Sequence, residues 1–124
     1  MQVLRTTSLD GKADRIAGGL PLIDRKRLEF AKALASKPRL ILLDEIAAGL
    51  TEPEVERLIE VIARVKADHA MIWIEHIPHA LRAVADRILV LNFGRKVLDG
   101  PPREVMASRT VKEIYMGLTA DDVA

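Results

Sequence analysis

Residues Arg39-Leu-Ile-Leu-Leu-Asp-Glu45 end an apolar run in two adjacent carboxylates. One carboxylate can hold Mg²⁺ through its water shell, and the next can orient or deprotonate an attacking water. That division of labour suits phosphoryl transfer. The bland alternative is that Asp44 caps the next turn and Glu45 is merely solvated. A second apolar run ends in Ile74-Glu-His76. An imidazole can donate a hydrogen bond in either protonation state, which suits a phosphate oxygen. Read alone, Glu75 and His76 suggest a metal pair. Adjacent strand residues face opposite sides, which argues against zinc. His69, in a polar turn, and His79, on a helix surface, match no pattern.

These residues need elements to hold them. Residues 39–44 and 70–75 have the apolar content of buried parallel strands. Residues 87–92 read as a third strand, which Phe93-Gly94 turns into a hairpin partner at 95–99. A helix is expected over 24–36, with Leu28, Ala31, Leu34 and Ala35 on one face and Pro38 after its end. Pro21 suits its first turn, and Asp24 can cap or charge its N-terminus. Ala47-Ala-Gly-Leu50 is a tight connection. Thr51-Glu-Pro-Glu54 matches a capping box opening a helix that carries Val55, Leu58, Ile59, Ile62 and Val65 at helical spacing. Short helices are expected at 78–85, from Pro102 or Arg103 to 107, and at 109–117. Residues 1–19 are weakly patterned, with one helical turn between Asp10-Gly11 and Gly18-Gly19. The order α-β-α-β-α-β-β-α-α predicts an α/β fold: a mainly parallel sheet, helices on both faces and a C-terminal β-hairpin.

Composition narrows the field. The chain has 124 residues, 49% hydrophobic and 30% charged, enough for one core or part of one. A net charge of +1 and four aromatic residues (Phe30, Trp73, Phe93 and Tyr115) argue against nucleic-acid binding. The absence of cysteine excludes disulfide and thiolate chemistry and fits a cytosolic chain. No apolar run approaches the roughly 20 residues of a membrane helix, and Met1-Gln-Val-Leu-Arg-Thr6 does not read as a signal peptide.

Taken in order, the motifs resemble the C-terminal part of an ABC-transporter ATP-binding subunit, a P-loop NTPase. Leu20-Pro-Leu-Ile-Asp-Arg-Lys-Arg-Leu-Glu29 resembles the signature segment. Leu40-Ile-Leu-Leu-Asp-Glu45 resembles Walker B. Ala47-Ala-Gly-Leu50 resembles the D-loop, and Ile74-Glu-His76 the switch-histidine loop. Asp86-Arg-Ile-Leu-Val-Leu, Gly94-Arg-Lys-Val and Gly100 resemble the closing strand and hairpin. The likeness covers roughly residues 9–117, and its wording is most similar to the ATPases of branched-chain amino-acid importers. It implies a remnant of the helical subdomain at 1–37 and the C-terminal half of the ATPase core at 38–124.

The resemblance implies that Asp44 is the Mg²⁺-associated carboxylate, through water. Glu45 would be the general base, and His76 the γ-phosphate sensor. Leu20, Pro21, Leu22, Ile23 and Asp24 would face ATP held by a second subunit, and Ala48, Gly49 and Leu50 would form the D-loop contact. Several residues depart from the pattern. The signature serine and glycines are missing, Pro21 removes an N–H donor, and Asp24 puts a negative charge where a phosphate should sit. Arg25, Lys26 and Arg27 offset it in part. Ile46 replaces a proline, and Thr51 replaces an acid or amide. No G-x-x-x-x-G-K-[ST] phosphate loop occurs: Thr6 stands where the first glycine should be, and Ala13 follows Gly11-Lys12.

The expectation is therefore a fragment lacking the P-loop and inactive alone. It would come from an ATP- and Mg²⁺-using subunit of a branched-chain amino-acid uptake system. Its partners would be a second ATPase subunit, in a homo- or heterodimer, and membrane permease subunits, on the cytoplasmic face of the membrane. The alternative is a non-catalytic module that pairs with a P-loop-bearing chain. A receiver-like α/β domain would need acids at its first strand's tip and a lysine after a later strand, and the chain shows neither pattern. Removing the Walker A strand would leave an unpaired edge. Strands 70–75 and 87–92 should then pair with each other, or the chain should dimerise or swap through that edge.

Overall fold

Val55, Leu58, Ile59, Ile62 and Val65 share one side of a helix in sequence, and all are buried in the fold, together with Val61. They line α3 (Glu52–Lys66), whose first turn holds Pro53. The Glu54 carboxylate accepts hydrogen bonds from the Thr51 N–H at 2.9 Å and the Thr51 hydroxyl at 2.8 Å. These bonds, the backbone one first, hold Glu54 below the ordinary carboxylate value.

The computed structural model describes residues 1–115 and divides into two units, meeting between Ala80 and Leu81. In the first, α1 (Gln2–Thr6), α2 (Leu22–Ala35), β1 (Leu40–Asp44), α3, β2 (Ala70–Ile74) and the start of α4 (Pro78–Val84) follow in order. Short 3₁₀ turns occupy Asp10–Lys12 and Ala17–Gly19. The N-terminal helix α1 was not legible, because its five residues carry no periodic apolar face. Helix α2 starts two residues before expectation, so Pro21 is its N-cap and not part of its first turn. Ala31 and Leu34 are buried as expected, but Ala35 is exposed, and Ile23 and Phe30 join the core instead.

Strands β1 and β2 pair in parallel, with Leu40 opposite Ala70 and Asp44 opposite Ile74. Burial on both faces was expected, but only one face is covered among the described residues. Ile41 and Leu43 are buried, whereas Leu42 is 69% and Ile72 56% exposed.

The second unit holds β3 (Ile88–Asn92), β4 (Arg95–Gly100), α5 (Pro102–Ala107) and α6 (Arg109–Tyr115). Its core is Ile88, Val90, Val105 and Val111. Strands β3 and β4 form an antiparallel hairpin around Phe93-Gly94, with an irregularity between Val90 and Leu91. The Tyr115 hydroxyl donates to the Leu91 carbonyl. The expected pairing of strands 70–75 and 87–92 is absent: β2 is bonded to β1, and β3 to β4, in separate two-stranded sheets. No helix among the described residues is long and apolar enough to cross a membrane. Residues 116–117 of the expected last helix lie outside the described residues.

Candidate functional site

In a parallel pair the C-terminal strand ends share one edge, and ligands of open α/β sheets bind beside such edges. Asp44 is the last residue of β1 and is exposed. Glu45 follows it with a φ of 45°, in the left-handed region. That conformation is uncommon for a residue with a side chain. The Glu45 N–H donates to the Ile74 carbonyl at 2.9 Å, extending the ladder one residue past β1. His76 lies two residues past the end of β2, with its imidazole 65% exposed. The candidate base and the candidate phosphate sensor thus stand at the same edge.

Glu75 lies between them, and its side chain is fully buried. Its carboxylate accepts the Ala47 N–H at 3.3 Å and the His76 N–H at 2.9 Å. One oxygen also lies 3.3 Å from His76 Nδ1. The strand ends at Ile74, so alternation does not keep Glu75 and His76 apart, as it would inside a strand.

Ala47 and Ile46 are buried in the turn that follows Glu45. The turn is closed by Ala48 N–H donating to the Glu45 carbonyl and Leu50 N–H to the Ala47 carbonyl. Gly49 has a φ of 80°, and a Cβ there would stand 3.2 Å from Leu22 Cδ2. The positive φ favours glycine, and a side chain there would also have to displace Leu22 by a few tenths of an ångström. The Leu22 side chain at the start of α2 thus lies near the D-loop-like turn.

At α2, Leu20, Ile23 and Asp24 are buried, while Pro21 and Leu22 are exposed. The Asp24 side chain is 2% exposed and ion-paired with Lys12 and, at 3.6 Å, with Arg27. This corrects the electrostatic expectation. Asp24 does not present an unmatched charge to an approaching anion, because two cations face it inside the unit. Arg27 turns onto Asp24 and the Arg57 carbonyl, 3.5 Å away. Arg25 remains exposed. His69 Nδ1 lies 3.2 Å from the Val65 carbonyl, and His79 3.5 Å from Glu56.

Sequence reasoning missed Glu75 because the alternation rule was carried one residue too far. It missed Lys12 because that residue lies in an irregular segment with no periodic signal. Asp44 stands alone as a metal candidate: among the described residues, no three His, Cys, Asp or Glu side chains converge.

No protein-family model matches the chain. Individual curated relatives do. The chain is 34% identical over 116 residues to the high-affinity branched-chain amino acid transport ATP-binding protein BraF of Pseudomonas aeruginosa, covering 92% of this chain and 46% of that protein. It is 36% identical over 107 residues to the high-affinity branched-chain amino acid transport ATP-binding protein LivG of Salmonella typhimurium, covering 85% and 42%. Its fold superposes with a TM-score of 0.84, at 26% identity, on the ADP conformation of MJ1267, an ATP-binding cassette of an ABC transporter, covering 94% of this chain and 48% of that one. The chain spans about half the length of the relatives it matches.

Proposed function

We propose that this chain, a relative of the ATP-binding subunits of ABC transporters and in particular of those for branched-chain amino acids, carries the hydrolytic carboxylates of such a subunit. The observation behind this reading is the shared edge: Glu45 is bonded to Ile74, and His76 follows two residues later. Asp44 would hold Mg²⁺ through water, and the bound metal supplies charge stabilisation to the phosphoryl group. Glu45 would take the proton of the attacking water. His76, whose imidazole can donate in either protonation state, would donate to a phosphate oxygen. Leu20, Pro21, Leu22, Ile23 and Asp24 would offer the backbone of the α2 N-terminus to a triphosphate on a second ATPase subunit. Ala48, Gly49 and Leu50 would contact that subunit.

In this reading residues 1–37 are the helical-subdomain part and 38–124 the core part. The assembled protein sits with permease subunits at the cytoplasmic face of the membrane and drives amino-acid uptake. No phosphate loop occurs within these residues, so in this reading ATP affinity is completed by a P-loop supplied from outside them, on the same polypeptide or on another.

Calorimetry tests this. The chain alone should give no binding heat with Mg-ATP, and heat and hydrolysis should appear when a P-loop-bearing chain is added. In that mixture Glu45→Gln should lower hydrolysis by about 10²–10⁴-fold, the range for a lost general base. Full hydrolysis by Glu45→Gln would sink the assignment. The uncovered apolar face of β1 and β2 supports a second reading, a module that pairs with such a chain without doing chemistry. That reading predicts restored binding without hydrolysis.

A further inference from the structure

We infer that Glu75 is a positioning residue that holds the 45–50 turn and His76 in one fixed relation through a single buried carboxylate. The roles of Glu45 and His76 rest on the reading above, whereas the clamp is read without nucleotide. The geometry is two-sided. One Glu75 oxygen accepts the Ala47 N–H, and the other accepts the His76 N–H and faces His76 Nδ1. The backbone ladder ends just before this point, with Glu45 N–H bonded to the Ile74 carbonyl. Beyond it the two chain segments diverge into different turns, and the Glu75 side chain bridges them where backbone pairing stops.

Burial makes the bridge consequential. A fully buried carboxylate that loses a partner carries an uncompensated desolvation cost, so its donors are held strongly. Ala47 is itself buried, which limits the other positions its N–H can adopt. The turn it anchors contains Glu45 at one end and, at the other, Gly49 against Leu22. Movement of His76 toward or away from a ligand would therefore pull on the turn that carries Glu45.

The test is nuclear magnetic resonance on the 124-residue chain. Glu75→Ala should speed amide hydrogen exchange at Ala47 and His76 by about tenfold or more, with α3 core amides unchanged. Glu75→Gln keeps one acceptor oxygen and should leave only one of the two amides protected. The decisive readout is transmission. His76→Ala should shift the Ala47–Leu50 resonances in the native background, and that response should vanish in Glu75→Gln. A merely structural role predicts no such coupling. Unchanged exchange in Glu75→Gln, or an equal response to His76→Ala without the carboxylate, overturns the inference. If Glu75→Ala does not fold, Glu75→Gln decides alone. Neither measurement contains ATP, so a failure of the nucleotide reading shows separately, in the calorimetry.

Discussion

Glu45 holds a left-handed backbone at the point where chemistry is proposed, a conformation costing on the order of 1–3 kcal/mol outside glycine. The bonds from Glu45 N–H to Ile74 and from Ala47 N–H to Glu75 sustain it. Charges elsewhere titrate in a predictable direction. Arg87 donates to both Asp99 oxygens, at 2.6 and 2.8 Å, and these bonds hold Asp99 below its ordinary 3.8. Hydrogen bonds from Thr51 hold Glu54 below 4.5. Lowered carboxylates contribute stability that is complete above their ordinary values and lost as pH falls through the folded ones. Thermal melts should therefore weaken as pH drops below 4.5 and then below 3.8. Arg87→Ala should return the Asp99 titration toward 3.8, as followed by carboxyl resonances. An Asp99 curve unmoved by that change would contradict the pair's role.

Among the elements, the β3–β4 hairpin carries a local conflict. Phe93 and Gly94 both have positive φ, 46° and 73°, as a two-residue hairpin turn of the primed kind needs. Gly94 adopts this freely, whereas Phe93 does so with a bulky side chain that is almost wholly exposed. Phe93→Asn should stabilise the hairpin by about 0.5–1 kcal/mol, read as a higher urea midpoint with an unchanged slope. A lower or unchanged midpoint would contradict the claim that Phe93 strains the turn. Elements with strong periodicity were legible from sequence, α3 above all, because burial of one helix face writes itself into spacing. Helix α1 was not legible, because its short segment buries little and is held by bonds such as Arg64 to the Thr6 carbonyl, 58 positions apart.

For the molecule as a whole, the uncovered sheet face dominates. Leu40, Leu42, Ile72 and Ile74 expose their side chains along the β1–β2 pair. Exposed apolar patches of this kind promote association. Sedimentation velocity should show self-association rising with concentration. The double variant Leu42→Lys, Ile72→Glu should suppress it with little loss of stability, since both sites are already exposed. A native chain monomeric at every concentration would remove the case for a sticky face.

The sequence by itself determined the motifs, their order and the elements that carry them: Asp44-Glu45 and His76 at strand ends, Gly49 in a turn, and a capped amphipathic α3. Those features follow from local spacing, which a linear text records. Only the tertiary structure decided that Glu75 bridges Ala47 and His76, that Lys12 and Arg27 enclose Asp24, that Leu22 seats against Gly49, and which strand faces stay uncovered. Each of these depends on side chains from distant segments meeting in space, and pairing of that kind leaves no period in the chain.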